Sequence, residues 1–301
     1  MKNIILIYYY HIINVTLFYK GGIFMNLQIS SKKEGAELTS IKFNDKEMLH
    51  QGKEYWNRHA PILFPIVGQI KNGETIINGE VYKMGQHGFA RDMEFEEIEK
   101  LENTHKYLLK SNQETLERFP FKFELYVTYE VNENEVITQY TVINKDGKEM
   151  LFGLGGHPAF ICDYSSENYE IEFEKEEDNI EFLQLENGLI SKEVGKNVLK
   201  QNKIQLLKNT FDNDAIIMKN IHSNKVILKD NKNNVDILEF DFTGFPYLAL
   251  WSKKGAPFVC IEPWFNTADK IDSNGKFEDK ENILKLKPNE KFECQYKVKF
   301  L

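Results

Sequence analysis

A two-residue alternation of apolar and polar side chains limits what this chain can fold into more than any other feature. From Phe121 to Val131 every odd position is apolar or aromatic and the even positions are mostly polar. The same period runs through Tyr169–Glu174 and Phe292–Phe300. Successive side chains of a strand point to opposite faces, so this period sends one face to a core and the other to polar surroundings, as in antiparallel sheets. Asp230–Asn234, between Val226–Lys229 and Val235–Phe242, reads as a hairpin loop, and Asn132–Asn134 as a turn. A sustained helical period is absent; Leu183–Leu207 is expected to hold at most a helical turn or two. With no Pro/Gly/Ser-rich linker, internal repeat or composition shift, the pattern predicts an all-β protein. Its architecture is one large antiparallel β-sandwich domain over residues 25–301.

Composition narrows the function. A chain of 301 residues, 42% of them hydrophobic, can build a sizeable core. The net charge of -8 and the lack of a basic stripe argue against a nucleic-acid partner. Cys162, Cys260 and Cys294 are scattered, forming neither a disulfide framework nor a zinc pattern, which suits a reducing cytoplasm. Cys294 falls on the apolar phase of its run and is expected in the core. Residues 4–19 are apolar and aromatic, but Tyr8–His11 and Asn14 interrupt them. The run is shorter than the roughly 20 residues of a membrane span and no A-x-A-like cleavage site follows it. Residues 1–24 are therefore expected to be an extension from a start codon placed too far upstream, with Met25 opening the domain and no membrane partner.

Four segments break the alternation with chemistry-bearing residues: Asn57–Gly68, Gly85–Asp92, Gly153–Phe160 and Cys260–Trp264. In the last two, His157 and Glu262 each directly precede a proline, which pushes the preceding residue into extended backbone. A histidine and a glutamate held this way suit a general acid and a general base. Glutamate in an apolar run is otherwise explained by a buried ion pair, with Arg91 as the obvious partner. The chain has only three arginines, and Arg58 and Arg91 lie in the first two segments. Arg58 and His59 are expected to brace the loop after Trp56, and Gly155 and Gly156 to serve backbone geometry. A zinc site from His59, His87 and His157 lacks any H-x-H or H-x-x-x-H pair, so no metal is expected.

Taken in order, Pro61–Gly68 (P-x-L-F-P-x-x-G), His87–Arg91 (H-G-F-A-R), Gly155–Phe160 (G-G-H-P-x-F) and Glu262–Trp264 (E-P-W) resemble the aldose 1-epimerase (mutarotase) family. The resemblance covers about residue 25 to the end and implies a β-supersandwich. It also implies a cofactor-free isomerase that interconverts the α and β anomers of an aldohexose by acid/base ring opening and closing. On that resemblance Glu262 is the base at the C1 hydroxyl and His157 the acid at the ring oxygen. His87 binds the sugar nearby, Arg91 holds hydroxyls or orients Glu262, Asp214 holds hydroxyls, and Trp264 and Phe160 form apolar walls. Gln69 stands where some relatives carry a substrate-reaching arginine; it brings no charge, which leaves the sugar open and weakens any preference for a phosphorylated one, with a hexose-phosphate mutarotase kept as an alternative. A non-catalytic sugar-binding protein is the alternative of another class.

Overall fold

The structure is a computed structural model that describes residues 26–301; the expected N-terminal extension, residues 1–24, lies outside them. Two antiparallel sheets carry the fold. The larger has nine strands, in the order Lys203–Leu206, Tyr169–Phe173, Lys225–Asp230, Val235–Asp241, Lys291–Phe300, Glu135–Asn144, Phe123–Asn132, Thr104–Lys110, Glu96–Lys100. The other runs Leu189–Val194, Glu181–Glu186, Ile216–Lys219, Tyr247–Trp251, Phe258–Trp264, Gly155–Gly156, Ile62–Leu63, with Ala159–Ile161 also paired to Phe258–Trp264. Leu125, Val127, Val142 and Val298 of the first sheet share one core with Leu248, Leu250, Val259 and Ile261 of the second. This is the sandwich that the alternation predicts. The α-helix Gln113–Arg118 is short and is closed at its start by an Asn112–Thr115 capping box.

One expectation fails. Leu183–Leu207 holds no helical turn; it contributes Glu181–Glu186, Leu189–Val194 and Lys203–Leu206 as strands. Asn187 and Gly188, at φ 52° and 81°, turn the first into the second. An Asn-Gly pair between two strands is the signature of a tight hairpin turn, so the signal was present in the sequence.

The strands of the second sheet also have two faces. Val259 and Ile261 point into the shared core, whereas Phe258, Cys260 and Trp264 pack in separate clusters on the opposite face. Ile217, Ala249 and Tyr247 lie on that opposite face too. Trp56, Gly68, His87, Arg91, Phe211 and Asp214 line a cavity together with Ile217, Glu262 and Trp264 of that face, and this cavity is the candidate site.

Candidate active site

The pairing register brings the two proline-anchored residues together. Gly155 opposes Trp264 and Ala159 opposes Cys260. Counting two residues inward from either pair sets His157 directly across from Glu262. Opposed residues in antiparallel strands hold their side chains about 5 Å apart on one face. His157 Nε2 accordingly lies 3.2 Å from Glu262 Oε2, both side chains almost fully buried. Gly155 and Gly156 permit this for a packing reason: a Cβ at Gly155 would lie 2.8 Å from Cδ1 of Trp264, and one at Gly156 would lie 2.8 Å from Cε1 of Tyr296. Ala249, opposite Glu262 on its other side, leaves the carboxyl room.

His87 is fixed by its own backbone. It sits at φ 66°, a conformation uncommon for a non-glycine residue, and its N–H donates to the Gly68 carbonyl. The Gly68 N–H donates back to His87 Nδ1 at 3.1 Å. Nδ1 is thus an acceptor, and in the neutral ring the proton resides on Nε2. Gly88 follows at φ 73°, where a Cβ would lie 2.3 Å from the Phe64 carbonyl oxygen. The Phe89 and Ala90 N–H groups donate to that same oxygen, docking Gly85–Asp92 onto Asn57–Gly68. The His87 and His157 rings meet edge to face, 5.6 Å between centroids.

Burial dominates the electrostatics. It drives His157 down to about 3, helped by Arg91, and pushes the Glu262 carboxyl well above its ordinary value, with Asp214 adding to the rise. His87 is likewise held neutral by burial, with His157 and Arg91 reinforcing it. His157 and Glu262 together therefore hold one proton over a broad pH range. Burial also pulls Arg91 down to about 10. Its Nη2 donates to the Gln86 carbonyl at 2.8 Å and its buried Nε has no hydrogen-bond partner, so it pairs with the loop rather than with Glu262. Arg58 bridges to Asp92, and Glu37 accepts from the His59 and Ala60 N–H groups while pairing with Lys32. These contacts brace the loop that follows Trp56.

His157, Glu262, His87, Arg91, Asp214 and Trp264 all line one cavity of about 520 Å³. Two expected residues do not. Phe160 is buried in the main core, its ring edge-on to Phe240 at 6.1 Å, because its strand turns it to the core face. Gln69 lies outside the lining, with its side chain wedged against the Gly188 turn. The aromatic walls are instead Trp56, Trp251 and Trp264, all the tryptophans of the chain. Trp56 lies over the His157 ring at 4.9 Å and Trp251 meets it edge to face at 5.6 Å. Trp56 and Trp251 escaped sequence reasoning, although tryptophan's rarity in this chain was a usable signal. The rim carries Asp212, Asp214, Lys253 and Lys254, with Lys254 paired to Asp212 at 2.8 Å.

The profile of the family described as aldose 1-epimerase matches residues 24–297. The chain belongs to the aldose 1-epimerase family. It is 34% identical over 296 residues to the chromosomal and plasmid forms of protein LacX from Lactococcus lactis subsp. lactis, a match covering 91% of this chain and 97% of either relative. The structure of a galactose mutarotase related enzyme from Lactobacillus acidophilus superposes with a TM-score of 0.85 at 32% identity, covering 94% of this chain and 97% of that one. A galactose mutarotase-like protein from Lactobacillus casei gives 0.83 at 29% identity, covering 92% and 100%. The galactose 1-epimerase of Lactobacillus acidophilus shares the fold, with a TM-score of 0.67 at 13% identity over 94% and 92% of the two chains.

Proposed function

We propose that this family member is a cofactor-free mutarotase acting on an uncharged aldohexose in the cytoplasm. The observation that carries the reading is the His157–Glu262 pair, opposed across the strand register at the floor of a cavity large enough for a pyranose. Mutarotation needs a base at the C1 hydroxyl and an acid at the ring oxygen, two groups that hold one transferable proton between them. With the proton on His157, the Glu262 carboxylate takes the C1 hydroxyl proton while the imidazolium protonates the ring oxygen and the C1–O5 bond breaks. The ring-open aldehyde then faces a protonated Glu262 and a neutral His157, the distribution that burial favours. Burial thus disfavours only the ionised arrangement from which ring opening starts, and the ring-open stage returns the pair to its resting protonation. Rotation about C1–C2 and reversal of both transfers give the other anomer.

His87, its Nδ1 engaged by Gly68, presents Nε2–H to a sugar oxygen beside His157. Arg91 and Asp214 serve as hydroxyl partners, and Trp264 with Trp56 and Trp251 supplies the apolar walls. At the rim Lys254 is already paired to Asp212, and Asp214 joins Lys253 in the lining, which favours a neutral sugar over a hexose phosphate. Polarimetry on freshly dissolved α-aldohexoses and their 6-phosphates tests this reading. Faster equilibration of the free sugars than of the phosphates is expected. Sugar binding without acceleration of any anomer exchange would establish a binding protein instead.

A further inference from the structure

Behind the cavity floor, Cys260 shares a strand face with Glu262, two residues on, and packs with Phe258, Trp56 and Trp251. One ligating atom each from Cys260, His157 and Glu262 lie within 4.8 Å of one another, and all three residues are buried. The 3.2 Å between His157 Nε2 and Glu262 Oε2 matches the separation of about 3.3 Å that two nitrogen or oxygen ligands take on one tetrahedral zinc ion. Glu262 Oε2 is buried and has no aligned hydrogen-bond partner, which leaves it open to a metal ion. We propose that Cys260, His157 and Glu262 form a binding site for a borderline-soft divalent cation such as Zn²⁺, which inhibits the enzyme by occupying its acid and its base at once.

The donor set decides the class of ion. A thiolate, an imidazole and a carboxylate suit zinc or cobalt, whereas magnesium and calcium require shells of oxygen. The thiol and carboxyl protons leave to solvent as the metal bonds form. Three protein ligands leave the fourth position toward the cavity that His157 and Glu262 line, so metal and sugar compete for one place. Only the inhibitory consequence rests on the mutarotase reading; metal binding itself does not.

The test uses the full chain freed of metal by a chelator, with Co²⁺ and Zn²⁺ alone as probes. Wild-type protein should bind one Co²⁺ with a thiolate-to-cobalt charge-transfer band in the near ultraviolet, and Zn²⁺ should displace it. Substitutions in the outer shell of a metal site already weaken binding roughly 10–100-fold, so Cys260→Ser should remove the band and raise the Zn²⁺ Kd about 100-fold. Each variant's activity, referred to its own metal-free rate, should lose Zn²⁺ sensitivity by the same factor. Anomalous diffraction at the zinc edge on wild-type crystals gives a readout independent of any variant, with the peak expected between the three side chains. Absence of the cobalt–sulfur band in the wild type, its persistence in Cys260→Ser, or a zinc peak elsewhere would overturn the proposal, while leaving the mutarotase reading to its own sugar assays.

Discussion

At the scale of single residues, the site turns on one proton shared by two buried groups. In the unfolded chain the pair binds two protons below about pH 4.5, one between 4.5 and 6.5, and none above 6.5. In the folded, metal-free protein it binds one from about pH 3 up to the raised value of Glu262. The pair's contribution to stability is therefore level between pH 4.5 and 6.5. It declines below that window, where the unfolded chain takes up the extra proton, and above it, where the folded protein retains one that the unfolded chain has released. The alkaline decline approaches about 1.4 kcal/mol per pH unit. Glu262→Gln has no such proton, so its unfolding free energy, measured by urea denaturation at pH 6.5 and 8, should fall less than that of the wild type. Parallel declines would show that Glu262 is ionised in the folded state. Gly88 supports the neighbouring histidine: Gly88→Ala forces a Cβ onto the Phe64 carbonyl at a positive φ and is expected to cost more than about 1 kcal/mol in a thermal melt. That His157, Glu262, His87 and Arg91 belong together was legible from three motifs, and all four line one cavity. The direction of Phe160 was not, because which face of a short strand meets the core depends on its partners.

At the scale of elements, the decisive fact is register. The alternation announced strands and the Asp230–Asn234 hairpin, but pairing between Gly155–Ile161 and Phe258–Trp264 spans about a hundred residues of sequence. No local pattern sets which residue opposes which over that distance. The two prolines fix extended backbone; the strand partners bring their preceding residues face to face. A second long-range tie holds the cavity's edge. Asp269 accepts from the Lys71 N–H through its carboxylate and from the Ile190 N–H through its carbonyl, and donates its own N–H to the Gln69 carbonyl. Its carboxylate also pairs with Lys280 at 2.5 Å, both side chains buried, and burial holds that lysine below its ordinary value despite the partner. Removing one member of such a pair leaves an uncompensated charge. Lys280→Met should therefore destabilise by about 3–5 kcal/mol, and adding Asp269→Asn should restore part of the loss in a double-mutant cycle. Additive effects would mean that the pair is not coupled.

At the scale of the whole molecule, two sheets share one core, and the second sheet turns its other face into a working surface. That division explains why a strand as thoroughly apolar as Phe258–Trp264 carries a glutamate: Val259 and Ile261 serve the core, while Cys260, Glu262 and Trp264 serve the cavity side. All three tryptophans line the cavity, so intrinsic tryptophan emission reports on the site alone. A bound aldohexose should shift or quench that emission saturably, whereas a sugar alcohol, which has no pyranose ring to lie against the aromatic walls, should not. Equal responses to both would argue against a ring-shaped site. On the proposed function, Glu262 and His157 exchange protons with a sugar hemiacetal. Magnetisation-exchange NMR on an aldohexose at equilibrium measures that event directly, as the rate at which α and β anomeric signals interconvert. General acid and base groups each contribute roughly 10²–10⁴-fold, so the wild type should raise the exchange rate far above buffer, and Glu262→Gln and His157→Asn should each lower it by at least about 100-fold while remaining folded. Exchange as fast in both variants as in the wild type would contradict the account.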